Sequence, residues 1–423
     1  MKKTLCFIFI IILISLTFTS CSFGVSVEEL LVAPSLSDNQ VAVLQALEEE
    51  HPNRITFVYP LTGANRSAIQ KYDLDGDGNE EIIAFYKDST EGLNAFLSVL
   101  EKTDDTSYTV VSTLEGYGDS INSVFYLSSV VSEDVVLIEW KSRNKSSNTI
   151  SVFTYADHQL EVGFEENSLD LMVLDTDQTQ PTSFCYIIPA SVENGFALKF
   201  VRSNEDSIYS RSQYNLSQDV EEIISLNTGY LKNGSSAIFI DEKNENGMQT
   251  DIFIRSIDNS RLSRAEVEGG IDLVKLSARP SDLNLCCTDL DGVYCFPSSV
   301  APSKDILFPD SWIYWYSLDD NLVTLERTTY YSKEFGFLLT IPPSWLPICE
   351  VIQNEDGIQI TDRTNEASLL TLVMLSIDDD VMPYVSSGYY LLGTNGTSRY
   401  YVNVSSTEED DETLIQKSFM VFD

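Results

Sequence analysis

Nine consecutive residues interleave acids with glycines: Asp73-Leu74-Asp75-Gly76-Asp77-Gly78-Asn79-Glu80-Glu81. Carboxylates at alternate positions curl around a hard cation, glycines permit the tight turn, one backbone carbonyl adds a ligand, and a late acid closes the shell. On that spacing the ligands are Asp73, Asp75, Asp77, the Asn79 carbonyl and Glu81. The cation expected is Ca2+, in a structural role. An EF-hand would place its closing glutamate at about position twelve, where this chain has Ala84. The run Ile82-Ile83-Ala84-Phe85-Tyr86 that follows reads as a strand, not a helix. A solvated acidic turn without metal is the alternative.

Other chemistry is sparse. His51 and His158 are the only histidines, which excludes a three-histidine zinc site and disfavours a Ser–His–Asp triad. Paired carboxylates can hydrolyse glycosides, but among 65 acids spacing cannot single out a pair. No catalytic constellation is identified, and the chain is expected not to be an enzyme. Trp312, Tyr314 and Tyr316 share one face of a strand, with Trp315 on the other. They could form a ligand surface, a packed core being the alternative. Beyond Cys6 and Cys21 there remain Cys185, Cys286, Cys287, Cys295 and Cys349, too few and too odd a number for a disulfide scaffold. A Cys287–Cys295 pair stays open.

The N-terminus supplies an address. Lys2 and Lys3 precede an apolar run from Leu5 to Phe18, shorter than the roughly 20 residues a membrane span needs. It has the length of a signal-peptide core. The run ends in Thr19-Ser20-Cys21, which resembles a lipoprotein signal-peptidase site, so Cys21 is the expected lipidation position. Phe18 stands where that pattern usually has Leu. Residues 1–20 are thus read as signal peptide and 21–36 as a tether. The protein is expected outside the cytoplasm, lipid-anchored to a membrane. Losing Lys2 and Lys3 takes the net charge from −39 to −41. Such a chain repels phosphate backbones, so no nucleic-acid partner is expected. The partner would be an unidentified protein or glycan.

The elements that must position these residues are mostly strands. Residues 37–53 read as a helix, capped at Ser37 to Gln40 and ended by His51-Pro52. From 54 to 325, short runs rich in Val, Ile, Tyr, Phe and Thr alternate with turn clusters. Ile121–Ser128, Val135–Lys141, Thr149–Tyr155 and Gln159–Glu165 read as one four-stranded unit. Leu169–Asp175, Thr182–Ala190, Phe196–Arg202 and Ser207–Leu216 read as the next. Turns near 73–78, 128–134, 175–177, 232–234 and 288–292 recur at roughly 50 to 60 residues, a propeller-like period. The fold expected is mainly β: a degenerate β-propeller of about five four-stranded blades, with a β-sandwich array as alternative. Near 326 the texture changes, and 327–423 reads as a C-terminal α+β domain closed by a helix within 408–422.

Residues 73–86 resemble the FG-GAP/VCBS repeat family, whose calcium loop lies between two strands of a propeller blade. Here Glu81 stands where that family usually has Asp. The wider arrangement is similar to lipoproteins of gut Firmicutes, and Gly336-Phe337, Ile341-Pro342 and Trp345 resemble the opening of the PsbP-like α/β fold. Together these readings imply a non-enzymatic binding module, membrane-anchored and steadied by calcium. The alternative is a carboxylate-dependent glycan-processing enzyme on a propeller scaffold.

Overall fold

The computed structural model describes residues 38–422 except 53, 105–106, 128–133, 175–182, 191–194, 205–206, 218, 257–260, 282–283, 301–310 and 406–408. Cys21, the signal sequence and the tether lie outside the described residues, as do most of the expected turn at 128–134 and that at 175–177. No helix among the described residues is long and apolar enough to cross a membrane.

The first helix is Asp38–Glu50, and Pro52 stops it because proline disfavours helical geometry in the residue before it. Its buried face, Val43, Ala46 and Leu47, rests on Ile82, Ala84 and Tyr86 of the first sheet. In that sheet Glu81–Asp88 is central. Ile55–Phe57 and Ile69–Tyr72 share one of its edges, while Phe96–Lys102 and then Tyr108–Glu115 extend the other. Glu81–Tyr86 is buried at every position, which is why its sequence is a continuous apolar run after the acid.

Three four-stranded antiparallel meanders follow. The second sheet is Ser120–Leu127, Val135–Lys141, Asn148–Ala156 and Gln159–Ser168. The third is Asp170–Leu174, Ser183–Pro189, Phe196–Asn204 and Ser207–Asn215, and the fourth Glu222–Tyr230, Ser236–Asn244, Gly247–Arg255 and Leu262–Arg264. The strands of the second and third sheets match the runs read from the sequence within a few residues. The fifth sheet runs from Thr288–Leu290 through Val293–Ser298, Trp312–Asp319, Leu322–Ser332 and Phe337–Thr340 to Met420–Val421. The last contains Cys349–Asn354, Gly357–Asp362, Ser368–Ser376 and Ser398–Val404, with Tyr390–Thr394 at its edge.

Strand alternation gives each sheet two faces, and the cores form where consecutive sheets meet. Ile83, Phe85 and Val99 of the first pack on Val124, Ile138 and Trp140 of the second. Leu137 and Val152 meet Phe184 and Tyr186 of the third. Cys185 and Phe200 meet Ile238 and Phe253 of the fourth. Phe239 and Ile252 share a core with Trp312, Tyr314 and Phe337 of the fifth and with Ile358 and Leu372 of the last. Each fully buried apolar side chain contributes about 1.5–3 kcal/mol. The result is a row of stacked antiparallel sheets, mainly β as expected. Closing that row into a ring would use the first-sheet face that the helix already covers. Residue 326 falls inside Leu322–Ser332, which pairs with Trp312–Asp319 on one side and Phe337–Thr340 on the other. The helix Glu409–Ser418 precedes the last strand, and its Ile415 enters the core shared by the fourth, fifth and last sheets.

Candidate functional site

The acidic loop joins two antiparallel strands whose last rung is Tyr72 opposite Glu81. Gly76 and Gly78 take positive φ of 73° and 89°, which a β-carbon would resist. Asp side chains organise the turn by accepting from its backbone: Asp73 Oδ2 from Gly78 N at 3.0 Å and Asp75 Oδ1 from Asp77 N at 3.1 Å. Glu81 Oε2 accepts from Leu74 N at 2.7 Å, and the buried Leu74 side chain pins that end of the loop in the core.

Carboxylate oxygens of Asp73, Asp75 and Glu81 all lie within 4.8 Å of one another. Asp73 Oδ1 is buried with no donor. Burial pushes the Glu81 carboxyl up, and the charges of Asp75, Asp73 and Asp77 add to that, against the opposing Leu74 N–H. Converging, mutually repelling oxygens with one unsatisfied lone pair fit a hard cation. The structure therefore brings together three of the five expected ligands. Asp77 turns instead to Asn79, accepting from its backbone N at 2.7 Å and from its side-chain amide at 3.0 Å. Those bonds hold the Asp77 carboxyl below its usual range.

Beside the loop lies a cavity of about 890 Å3, lined by Asp75 and Glu81, by Lys71 and Lys102, and by Glu101 and His158. Glu101 belongs to the first sheet. His158 comes from the second, on the two-residue turn Asp157-His158, where both residues take positive φ. That conformation matches the twist of the two strands it joins and sets the imidazole over the first sheet. His158 Nδ1 lies 2.5 Å from Glu101 Oε1, and the Tyr155 hydroxyl donates to the same oxygen at 2.6 Å. Burial would raise Glu101, but the bonds from Tyr155 and His158 outweigh it and hold the carboxyl below its usual range. The Glu101 hydrogen bond and charge raise His158. Carboxylate and imidazole thus each favour the other's charged form, an ion pair at the cavity wall.

Sequence reasoning singled out neither Glu101 nor Tyr155, and saw in His158 only one of two histidines. Nothing local marks them, since they meet only through the packing of one sheet on the next. His51 ends the first helix as expected, yet it is mostly buried, with Nδ1 2.7 Å from Asp88 Oδ2. Asp88 is also saturated by Thr90 N and Oγ1, both at 2.8 Å, so this group clamps the helix to the sheet. Trp312, Tyr314 and Tyr316 do share a face, but they are only 2%, 2% and 4% exposed and belong to the core. Sheet packing covers the surface they were expected to form. Cys185, Cys286, Cys287, Cys295 and Cys349 are free thiols.

A comparison with protein-family models finds no match, and neither does one with curated proteins. Solved structures similar to this chain include an exo-beta-1,3-galactanase from Phanerochaete chrysosporium, at 11% identity and TM-score 0.24, covering 78% of this chain and 82% of that one. A GDP-Man-dependent mannosyltransferase from Leishmania mexicana matches at 12% identity and TM-score 0.21, over 69% and 94%. A post-proline cleaving enzyme from Rickettsia typhi matches at 11% identity and TM-score 0.28, over 88% and 61%. The likeness is slight. The expectation of a non-enzymatic binding module finds no support among these neighbours, which are named as enzymes, and a likeness this slight carries no activity over to this chain.

Proposed function

We propose that the chain is an extracytoplasmic lipoprotein, held to a membrane through lipid on Cys21, whose cavity beside the acidic loop processes glycans. We also read the stacked sheets as blades of a propeller-like array, with residues 327–423 forming a C-terminal α+β unit. The observation that carries the functional reading is the convergence of Glu101 and His158, from two different sheets, on a cavity walled by Asp75 and Glu81. Its lining of carboxylates, lysines and imidazole suits a polyhydroxylated ligand.

In this reading Asp73, Asp75 and Glu81 hold Ca2+, which when bound supplies an attachment point for oxygen ligands. Glu101, ionised, accepts a proton from the attacking group. His158, protonated, delivers one to the departing oxygen. Tyr155 keeps the Glu101 carboxylate aimed through its hydroxyl. The test is release of sugar from a panel of oligosaccharides, with and without calcium. Native protein should turn over at least one class, and Glu101→Gln should lose about 100-fold or more. A folded native protein inactive on the whole panel, or a Glu101→Gln variant of undiminished activity, would sink the reading.

A further inference from the structure

Away from that cavity, the fourth sheet carries two acids on one face, both removed from water. Ile240 pairs with Asp251 across the central strands, so Glu242, two residues on from Ile240, sits diagonally beside Asp251 on the same face. Glu242 is 0% and Asp251 1% exposed. On that diagonal the two buried carboxyl groups are close enough to act on each other's titration, and two carboxylates have no hydrogen to share. Glu242 Oε2 accepts from Gln249 Nε2 at 3.0 Å. Asp251 Oδ2 accepts from Arg264 Nη2 at 2.8 Å and from Ser217 N and Oγ at 3.2 and 3.3 Å. Among the described residues no group donates to Glu242 Oε1 or Asp251 Oδ1, which are both buried. A proton on one carboxyl satisfies both oxygens, whereas two adjacent buried charges would repel.

We propose that Glu242 and Asp251 hold one proton between them, and that this proton is a pH-dependent latch on the joint between the third and fourth sheets. Asp251 grips that joint from one side through Ser217, in the connection between the sheets. Arg264, also bonded to Asp251, donates to the carbonyl of Asn215 at the end of the third sheet, at 2.9 Å. Among the described residues Arg264 bonds directly to the pair, while Arg255, buried on the same face of the Asp251 strand, donates to Ser183 Oγ of the third sheet at 3.3 Å. On the sheet's opposite face Arg279 is engaged by Asp241, and at its flank Lys243 is paired with Glu222, so neither answers a second charge on the pair. Burial pushes both carboxyls up, Glu242 further raised by the Asp251 charge and Asp251 held back by Arg264 and Ser217.

The sign follows from linkage. In the unfolded chain both acids are ionised above the ordinary carboxylate range, while the folded chain keeps one proton. Folding takes up that proton, so stability falls as pH rises from that range toward the pH at which the pair ionises. Glu242→Gln keeps a donor toward Asp251 and cannot ionise. Melting of the full chain from pH 5 to pH 9 should decline less steeply in Glu242→Gln than in the native protein, with the variant the more stable at pH 9. At that pH the Ser217 amide should exchange faster in the native chain than in the variant. Parallel melting curves, or equal exchange at Ser217, would overturn the proposal. If Glu242→Gln does not fold, infrared spectroscopy of the native chain at pH 8 decides. A protonated carboxyl band supports the shared proton, and its absence overturns it.

Discussion

Asp241 Oδ1 lies 2.7 Å from Arg279 Nη2, and neither side chain has any exposed surface. Asp241 is next in sequence to Glu242 and so faces the other way. It accepts from Thr250 Oγ1 at 2.7 Å, Ser225 Oγ at 2.7 Å and Cys287 N at 2.9 Å. Arg279 also donates to the carbonyls of Leu285 and Ser277. One strand end thus ties the fourth sheet to the segment leading into the fifth.

Removing one member of this pair leaves the other buried without its counter-charge. Arg279→Met should destabilise the chain by about 3–5 kcal/mol, read as a lower denaturant midpoint. Replacing both together, as Asp241→Leu with Arg279→Met, should cost less than the two single losses added. Simple additivity would show that the pair is not coupled.

Trp312 is core. Trp312→Ala should therefore cost about 3–5 kcal/mol in stability and leave glycan binding by the folded fraction unchanged. Lost binding without lost stability would restore these aromatics as a ligand surface.

Gly116 sets the spacing between the first two sheets. A β-carbon there would lie 2.3 Å from the buried Trp140 ring and 2.7 Å from the Ala95 carbonyl. Gly116→Ala should cost about 1–3 kcal/mol through overpacking, as measured by equilibrium unfolding. A neutral effect would show that Trp140 is free to move.

Much of the fold was legible because its signals are local. Val135–Lys141 was read to the residue from its β-branched and apolar run between turn clusters. Tight turns such as Asp291-Gly292, both at positive φ, declare themselves by composition. What escaped depends on register and packing between sheets. Glu101 meets His158 57 residues later in the chain, and Glu242 meets Asp251 on a diagonal, with no motif announcing either. The change of texture at 326 is real in the sequence, yet Leu322–Ser332 runs through it because both its edges find partners. In the acidic loop, spacing located the three converging acids but could not foresee Asp77 folding back on Asn79.

In the proposed reading the acidic loop binds a divalent cation and anchors the site beside it. Binding to the folded state alone would stabilise it by about 2.7 kcal/mol at one hundred times the dissociation constant. That constant should lie in the extracellular range of about 0.1–1 mM. The most direct measurement is calorimetric titration of the native chain and of Asp75→Ala with calcium, with melting followed in parallel. The account predicts one site per native chain, a raised melting temperature with calcium, weaker effects of magnesium, and loss of all three in Asp75→Ala. A native chain that neither binds nor is stabilised by millimolar calcium, or an Asp75→Ala variant that responds equally, would contradict it.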